Sequence, residues 1–244
     1  MKQGIFKIID NYAITGSVYK MTLQGDTSAI TSPGQFVNIQ LDGLFLRRPI
    51  SVCDVQNDCL TIIYKVVGKG TAKMSEMKQG QLDVLTGLGN GYDLSKAGEN
   101  PVLIGGGVGV PPMYLLCKAL LAQGKNVSVI LGFNTKDEIF YEQEFKNLGA
   151  NVVVTTVDGS YGIKGFVTDA LKDISYSYFY TCGPEPMLKA VYKASETSGQ
   201  MSFEKRMGCG FGACMGCSCK TITGYKRICK EGPVMEKEEI LWED

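Results

Sequence analysis

The 244-residue sequence contains no histidine. Histidine is the side chain that most often transfers protons near neutral pH, and it is also a common zinc ligand. Lysine, aspartate, glutamate, tyrosine and cysteine can still act as acids or bases. A protein that moves electrons nevertheless has less need of a tuned base than one that breaks C–H bonds. The missing histidine therefore favours electron transfer over acid–base catalysis.

A surplus of charge is also absent, since 25 basic residues balance 25 acidic ones. We therefore expect neither nucleic acid nor an anionic membrane surface as a partner. No apolar run approaches the roughly 18 residues of a membrane-spanning helix. Residues 1–10 lack the apolar core of a signal peptide. Together with nine cysteines, which reducing compartments keep as thiols, these features predict a soluble cytoplasmic protein.

The cysteines concentrate near the end of the chain. Cys209, Cys214 and Cys217 are spaced C-x4-C-x2-C, and eleven residues separate Cys217 from Cys229. This is the spacing of a plant-type [2Fe–2S] site, in which one tight loop supplies three thiolates and a later segment the fourth. Glycines in such a loop allow backbone N–H groups to approach the cluster sulfurs closely. Four glycines are interspersed here: Gly208, Gly210, Gly212 and Gly216.

Two other kinds of cysteine site remain as alternatives. A zinc site more often pairs two C-x2-C knuckles or adds histidine, and a disulfide framework needs an exported protein. Cys219 is a further candidate ligand, which replaces Cys217 or Cys229 or takes no part. Residues 221–228 are long enough to return as a hairpin with its turn at 223–225, so we predict Cys229 as the fourth ligand.

Residues 1–97 are typical of β-structure. Their short, partly alternating segments are rich in Val, Ile, Thr and Tyr and are separated by glycine, Asp or Asn. This pattern predicts a small antiparallel barrel or sandwich. The expected strands are 12–23, 35–40, 59–67 and 81–85, and a short helix is expected at 70–77.

Two stretches of this region have the chemistry of a ligand site. Arg47 and Arg48, followed by Pro49-Ile50-Ser51, come after an apolar segment that we interpret as a strand. An arginine fork suits a diphosphate, and the serine hydroxyl is within reach of a flavin ring. The turn Gly68-Lys69-Gly70-Thr71 precedes the expected helix, and free N–H groups at a helix start bind phosphate. Alone, each stretch is equally typical of a solvated arginine pair or an ordinary turn.

Residues 98–200 alternate between strand and helix patterns, which predicts a doubly wound α/β domain with a mostly parallel sheet. Strands are expected at 101–104, 127–131, 152–156 and 178–182. Helices are expected at 113–123, 141–148, 166–171 and 185–197.

A glycine-rich loop follows the first of these strands, where such folds bind dinucleotides. It contains Gly105, Gly106, Gly107 and Gly109 and ends at Pro112, so that it departs from the G-x-G-x-x-G pattern. A second turn, Cys182-Gly183-Pro184, ends the last strand at the same sheet edge, where a nicotinamide ring would meet a flavin. The alternatives are a plain strand–helix turn and a buried, apolar Cys182. The 132–137 segment has no arginine for a 2′-phosphate, and one lysine leaves the choice between NADH and NADPH open.

Taken together, these motifs resemble a known family. Arg48–Ser51, Gly70-Thr71, the glycine loop and Cys182–Pro184 occur in the order found in ferredoxin–NAD(P)H reductase-like flavoproteins. The cysteine loop and the 229–233 segment, Cys-Lys-Glu-Gly-Pro, narrow the resemblance to electron-transfer subunits of type B dihydroorotate dehydrogenase. The resemblance covers the whole chain.

The resemblance implies an FAD-binding β-barrel at 1–97, an NAD-binding α/β domain at 98–200 and a [2Fe–2S] segment at 201–244. At Ile50 the chain departs from the wider reductase pattern, in which many members carry a tyrosine. The implied FAD residues are Arg48, Pro49, Ile50, Ser51, Ile63, Tyr64, Lys65, Gly70 and Thr71. The implied NAD residues are Gly105, Gly106, Gly107, Gly109, Cys182, Gly183 and Pro184, and the implied cluster ligands are Cys209, Cys214, Cys217 and Cys229.

The resemblance also implies a partner subunit that carries FMN and oxidises dihydroorotate, in a heterotetramer of two plus two chains serving pyrimidine biosynthesis. NAD takes two electrons together and a cluster takes one, so FAD must lie between them. The expected route is FMN, cluster, FAD, NAD⁺. One alternative is the small subunit of an NADH-dependent ferredoxin:NADP⁺ or sulfite reductase. Another, from a different class, is a zinc-binding module that senses nucleotides.

Overall fold

The computed structural model describes residues 1–242, so the last two residues of the predicted 201–244 segment lie outside the described part. The first part of the chain forms a closed six-stranded antiparallel barrel with one helix beside it, in the strand order β1-β2-β5-β4-β3-β6. The elements are β1 (Lys2–Ala13), β2 (Val18–Gln24), β3 (Phe36–Ile39), β4 (Arg48–Gln56), β5 (Cys59–Lys65), α1 (Lys69–Glu76) and β6 (Gln81–Leu88).

The barrel closes because its strands alternate between apolar side chains that face inward and polar ones that face out. Phe6 and Ile8 of β1 are buried in the barrel interior, and so are Val37 and Ile39 of β3. Residues two apart on a strand share a face, so these pairs form one apolar core. The predicted antiparallel barrel is confirmed.

Two sequence predictions within the barrel were wrong. The single strand predicted at 12–23 is the end of β1 and most of β2, separated by a turn in which the Val18 N–H donates to Thr15 Oγ1 at 3.2 Å. The predicted apolar strand before Arg47 is a turn, and Arg48 begins β4 instead of following a strand. The arginine and its neighbours are therefore fixed by the barrel ladder, in which Pro49 pairs with Asn38.

The second part of the chain forms a seven-stranded sheet in the order β10-β9-β8-β7-β11-β12-β15, parallel except for β15. The elements are β7 (Pro101–Gly106), α2 (Pro111–Ala122), β8 (Ser128–Phe133), α3 (Glu142–Leu148), β9 (Asn151–Thr156), β10 (Ile163–Lys164), α4 (Val167–Leu171), β11 (Tyr178–Cys182), α5 (Glu185–Ala194) and β12 (Gly199–Ser202).

Helices cover both faces of this sheet. Leu103 of β7 lies in the apolar cluster that includes Met113 of α2 and Phe145 of α3. Its neighbour Ile104 points the other way, into the cluster that contains Leu188 of α5. A strand buried on both faces is typical of a doubly wound domain, so the predicted α/β class is confirmed.

The C-terminal part returns to the sheet after a small hairpin. Its elements are β13 (Ser218–Thr221), β14 (Gly224–Arg227) and β15 (Val234–Glu236). The predicted hairpin is present, but its turn lies at 222–223 rather than 223–225, because Gly224 and Tyr225 already belong to β14. The last strand pairs antiparallel with β12. There the Glu236 carboxylate accepts hydrogen bonds from Lys96 Nζ at 2.7 Å, Gln200 Nε2 at 2.7 Å and Tyr178 Oη at 2.8 Å.

The barrel also packs directly on the sheet domain. Lys118 Nζ of α2 lies 2.6 Å from Asp54 Oδ1 of β4, and the Tyr92 hydroxyl donates to the Thr181 carbonyl at 3.1 Å. The barrel region and the sheet therefore meet near the carboxyl end of β11. None of the helices in residues 1–242 is both long and apolar enough to cross a membrane.

Candidate functional site

A cavity of about 360 Å³ lies between the barrel and the carboxyl edge of the sheet, and we call it the barrel cavity. Eight of the nine residues that the resemblance implied for FAD line this cavity. Its other walls come from the sheet and from the start of the C-terminal segment. The eight are Arg48, Pro49, Ile50, Ser51, Ile63, Tyr64, Lys65 and Thr71, and the remaining lining residues are Phe36, Val67, Val108, Ser202, Phe203, Glu204, Lys205, Met207 and Pro233.

The ninth residue, Gly70, supports the arginine from behind. A Cβ atom at Gly70 would lie 1.9 Å from Arg48 Nε, so the guanidinium packs where any side chain would stand. Arg48 also donates from NH1 to the Leu46 carbonyl. A planar, always-charged group held against the backbone in this way offers a two-point grip on a diphosphate. The barrel cavity therefore fits the charged part of FAD.

Tyr64 contributes its ring to the barrel cavity, whereas its hydroxyl is already bonded elsewhere. The hydroxyl donates to Asn11 Oδ1 at 2.9 Å. Burial raises the pKa of Tyr64 to about 12, although the bond with Asn11 opposes this. Tyr64 therefore shapes the cavity as a neutral, fixed wall. Ile50, which stands where many reductases carry a tyrosine, also lines the cavity, so that this wall is aliphatic.

A second cavity, of about 590 Å³, lies over the carboxyl ends of the parallel strands, and we call it the sheet-edge cavity. The predicted Gly106, Gly107 and Pro184 line it. Lys65 was named for FAD, and residues 132–134 belong to the segment considered for a 2′-phosphate. Sequence reasoning missed the remaining lining residues, although the rule that ligands bind at the carboxyl ends of such strands points to them. Besides Gly106, Gly107 and Pro184, the lining residues are Gly132, Phe133, Asn134, Glu138, Thr155, Val157, Gly165, Phe166, Val167, Thr168, Pro186, Met187 and Ala190, together with Lys65 and Val108.

The other predicted residues of this group lie behind the sheet-edge cavity rather than on its wall. A Cβ atom at Gly109 would lie 2.2 Å from the Cys182 carbonyl oxygen, and one at Gly105 would lie 2.8 Å from Val110 Cα. Gly183 and Cys182 are buried, and burial raises the pKa of the Cys182 thiol to about 12. At neutral pH Cys182 is therefore a protonated, buried thiol at the sheet edge.

The two cavities share part of their wall. Lys65 at the end of β5 and Val108 in the glycine-rich loop line both of them. Two flat ring systems, one in each cavity, would meet at this point. This shared wall is the feature expected of a site where a nicotinamide and a flavin exchange a hydride.

The structure brings the four predicted cluster cysteines together as two pairs. The Cys214 N–H donates to Cys209 Sγ at 3.4 Å, and the Cys229 N–H donates to Cys217 Sγ at 3.5 Å. Within residues 1–242, no group of three or more His, Cys, Asp or Glu side chains is arranged to hold a single metal ion. Two thiol pairs are the donor set that the two iron atoms of a [2Fe–2S] cluster require.

Backbone N–H groups surround the first pair. Cys209 Sγ accepts from the N–H of Ala213 at 3.2 Å and of Cys214 at 3.4 Å. Burial raises the pKa of the Cys209 thiol, but hydrogen bonds from the backbone, including those of Cys214 and Phe211, outweigh it and lower the pKa to about 6. The loop thus already stabilises a thiolate, the form that binds iron.

The second pair is more deeply buried. Burial raises the pKa of Cys229 to about 12, and the hydrogen bond with Cys217 adds to this. Adjacent thiols that resist ionisation by themselves are stabilised as thiolates by a bound metal cation. Cys219 lies apart from this pair, because its Sγ contacts Met235 Sδ at 3.8 Å and burial raises its pKa. The arrangement therefore fits a cluster held by the four predicted cysteines.

An arginine fixes the far side of the cysteine loop. Arg227 donates from NH1 to the Gly212 carbonyl at 2.6 Å and forms an ion pair with Glu231. On the near side, Met207 lines the barrel cavity and precedes Cys209 by two residues. The candidate cluster site is therefore next to the candidate flavin site.

Comparison with known proteins agrees with this arrangement. Residues 204–241 match the family model of the iron–sulfur cluster binding domain of dihydroorotate dehydrogenase B, and residues 103–193 match that of the oxidoreductase NAD-binding domain. A solved structure of an NADH-dependent reduced ferredoxin-NADP oxidoreductase superposes with a TM-score of 0.90 and 31% identity, over 98% of this chain and 90% of that one. These findings confirm the predicted cofactors, namely FAD, a [2Fe–2S] cluster and NAD, rather than a zinc module.

The curated relatives are similar over nearly their whole length. The electron transfer subunit of dihydroorotate dehydrogenase B (NAD(+)) from Fusobacterium nucleatum is 46% identical over 249 residues, which cover 95% of each chain. The subunit of the same name from a Geobacillus species is 42% identical over 257 residues, or 99% of each chain. The chain therefore belongs to the family of electron transfer subunits of dihydroorotate dehydrogenase B (NAD(+)).

Proposed function

We propose that the chain passes electrons from a catalytic dihydroorotate dehydrogenase subunit, which carries FMN, through its own [2Fe–2S] cluster and FAD to NAD⁺ in pyrimidine biosynthesis. The observation that carries the proposal is the order of the sites. The cysteine loop adjoins the barrel cavity through Met207, and the barrel cavity adjoins the sheet-edge cavity through Lys65 and Val108. When bound, FAD exchanges electron pairs with NAD and single electrons with a cluster.

Each group of residues has a physical role in this proposal. Arg48 holds the FAD diphosphate, and the Ile50 and Tyr64 side chains pack against the bound cofactor. Gly106 and Gly107 allow the dinucleotide to approach the backbone, while the residues behind them set the shape of the sheet edge. We propose that all the residues named from the resemblance belong to the FAD, NAD and cluster sites. The corresponding domains are residues 1–97, 98–200 and 201–244.

We further propose that two copies of this chain and two catalytic subunits form a cytoplasmic heterotetramer. Family membership implies a catalytic partner, and we assign the dihydroorotate chemistry to it. No histidine is present, and the cysteine beside the sheet-edge cavity, Cys182, is held as a thiol. Abstraction of the substrate proton is therefore assigned to the partner.

Reconstitution tests the proposal. The purified chain should oxidise NADH with an artificial electron acceptor and should not oxidise dihydroorotate. Adding the catalytic subunit should couple dihydroorotate oxidation to NAD⁺ reduction. In the reconstituted complex, Cys214→Ser should abolish this coupling and keep the NADH–acceptor reaction, whereas Cys59→Ser, a barrel cysteine remote from both cavities, should keep both. Orotate formation by the chain alone would refute the division of labour.

A second candidate function rests on the solved structure that covers 98% of this chain. We propose as the alternative a small flavin and iron–sulfur subunit of an NADH-dependent ferredoxin:NADP⁺ or sulfite reductase. Co-purification from the native cell distinguishes the two. A barrel partner that contains FMN supports the first function, and a larger iron–sulfur partner supports the second.

A further inference from the structure

Asn38 occupies an unusual place on the outer face of the barrel. Its neighbours on β3, Val37 and Ile39, point into the barrel core. Because side chains alternate along a strand, Asn38 shares the opposite face with Phe36, which lines the barrel cavity. Asn38 is nevertheless only 1% exposed. A polar side chain on the outside of a barrel is buried so completely only when another segment covers it.

The covering segment is the cysteine loop. Asn38 Nδ2 donates to the Cys209 carbonyl at 3.2 Å. The next residue, Gly210, packs so closely that a Cβ atom there would lie 2.2 Å from Asn38 Nδ2. Arg47 NH1 donates to the Asn38 carbonyl at 3.3 Å and to Asp83, which fixes the strand beneath. The side-chain amide of Asn38 therefore connects the barrel directly to Cys209, the first cluster cysteine.

The oxygen of the same side-chain amide lacks a hydrogen-bond donor. Asn38 Oδ1 is buried and has no hydrogen-bond partner within residues 1–242. A buried, unpaired acceptor destabilises the fold, whereas an apolar side chain of the same size would avoid that cost. Stability of the barrel therefore does not explain an asparagine at this position. Its contact with the cysteine loop does.

We propose that Asn38 is a positioning residue that fixes the cysteine loop against the flavin-facing strands and so sets the separation between the cluster and FAD. Asn38 pairs with Pro49 across β3 and β4, and Phe36 pairs with Ser51. Pro49 and Ser51 line the barrel cavity, so that one strand pair joins the two cofactor sites. Electron transfer slows steeply with distance, and a loop held at this point keeps the distance short. This inference rests on the electron-transfer function proposed above.

The first test replaces Asn38 by leucine, which is of similar size and makes no hydrogen bond. Loss of the bond to the Cys209 carbonyl should release iron to a chelator about fivefold faster, since a typical hydrogen bond contributes about 1 kcal/mol. NADH should reduce the cluster of the isolated chain more slowly, while the NADH–acceptor rate and the unfolding temperature stay unchanged. Thr27→Val is the matched control. It removes a buried hydrogen bond to the Asn57 carbonyl at 3.0 Å, distant from both cavities and the loop.

The second test approaches the contact from the loop. Gly210→Ala should displace the loop and change the electron paramagnetic resonance line shape of the reduced cluster. In an Asn38→Ala background the clash with Asn38 Nδ2 disappears, while the strain of an alanine at the Gly210 φ of +76° remains, so the two substitutions should couple in part rather than add fully. The proposal is overturned if Asn38→Leu releases iron and reduces its cluster at wild-type rates. It is also overturned if Thr27→Val speeds iron release and slows cluster reduction as Asn38→Leu does. Additive effects of Gly210→Ala and Asn38→Ala on the electron paramagnetic resonance line shape would overturn it as well.

These measurements use the isolated chain and need no catalytic partner. Failure of the reconstituted complex to oxidise dihydroorotate would therefore count against the proposed function and leave the Asn38 result standing. The opposite result would count against the role of Asn38 alone. In that case the reconstituted complex would reduce NAD⁺ with dihydroorotate normally, while Asn38→Leu and both alanine variants would behave like the wild type.

Discussion

Replacing Gly70 by alanine is expected to weaken FAD binding, although alanine is the better helix former. Gly70 is buried in α1, and a Cβ atom there would lie 1.9 Å from Arg48 Nε and 2.7 Å from its Cζ. An overlap of this size cannot be absorbed by small adjustments, so the guanidinium must leave its position. The substitution therefore displaces Arg48 without removing it.

The size of the effect follows from the contact that is lost. A hydrogen bond to a charged group contributes about 1.5–3 kcal/mol, and such a loss raises a dissociation constant about 10- to 100-fold. Alanine in a helix interior stabilises by about 0.5–1 kcal/mol relative to glycine. The flavin-free protein should therefore be no less stable than the wild type while it binds FAD more weakly, and the two effects have opposite signs.

Gly68→Ala is the matched control, because it lies two residues earlier in the same turn. A Cβ atom at Gly68 meets nothing within 4 Å, and its φ of −173° is extended backbone that any residue adopts. The dissociation constant is measured by titrating the flavin-free protein with FAD and following flavin fluorescence. If Gly70→Ala binds FAD within twofold of Gly68→Ala, Arg48 does not grip the cofactor in the way described.

Three further predictions concern the charge, the thiols and the last strand. Arg48→Ala should lose FAD on gel filtration whereas Lys69→Ala should keep it, because only the guanidinium offers a two-point grip; equal retention would contradict this. Cys229→Ser should lose the reduced-state electron paramagnetic resonance signal and Cys219→Ser should keep it, and the reverse pattern would exchange the two assignments. Burial raises the pKa of Glu236, but its hydrogen bonds outweigh burial and lower the pKa below 4.5. Its stabilisation is therefore complete above pH 4.5 and is lost as the pH falls through the lowered pKa. Glu236→Gln should lower the unfolding temperature at neutral pH and flatten its decline in acid, and an unchanged pH profile would refute this role.

The parts of the fold that sequence reasoning predicted are those fixed by local pattern. The strand 178–182 has the predicted bounds, because three aromatic residues followed by Thr181 and Cys182 form a short run of strand-favouring residues between polar turns. The strand–helix alternation of the sheet domain has the same origin. The cysteine spacing likewise named the four cysteines that lie together in the structure, since three of them belong to one loop and their spacing is a local property.

The parts that were missed depend on distant segments. The three residues of β15 form a strand only because β12 offers them an open edge. The turn between β1 and β2 is set by the Thr15 side chain, a signal that the apolar pattern on both sides concealed. No local sequence pattern marks the role of Asn38, because its partner Cys209 lies 171 residues away. Such contacts follow from topology and are not encoded in any short window.

The antiparallel pairing of β15 with β12 also has a consequence for synthesis on the ribosome. The sheet domain is complete up to β12 before β15 is made, so its nascent edge presents unpaired N–H and C=O groups that can pair with other chains. The fourth cysteine of the candidate cluster site, Cys229, is likewise translated after the other three and just before β15. The complete set of four thiols and the strand that protects the sheet edge therefore become available within the same short interval of translation. A nascent chain that stalls before residue 229 would expose both an incomplete thiol site and an open strand edge.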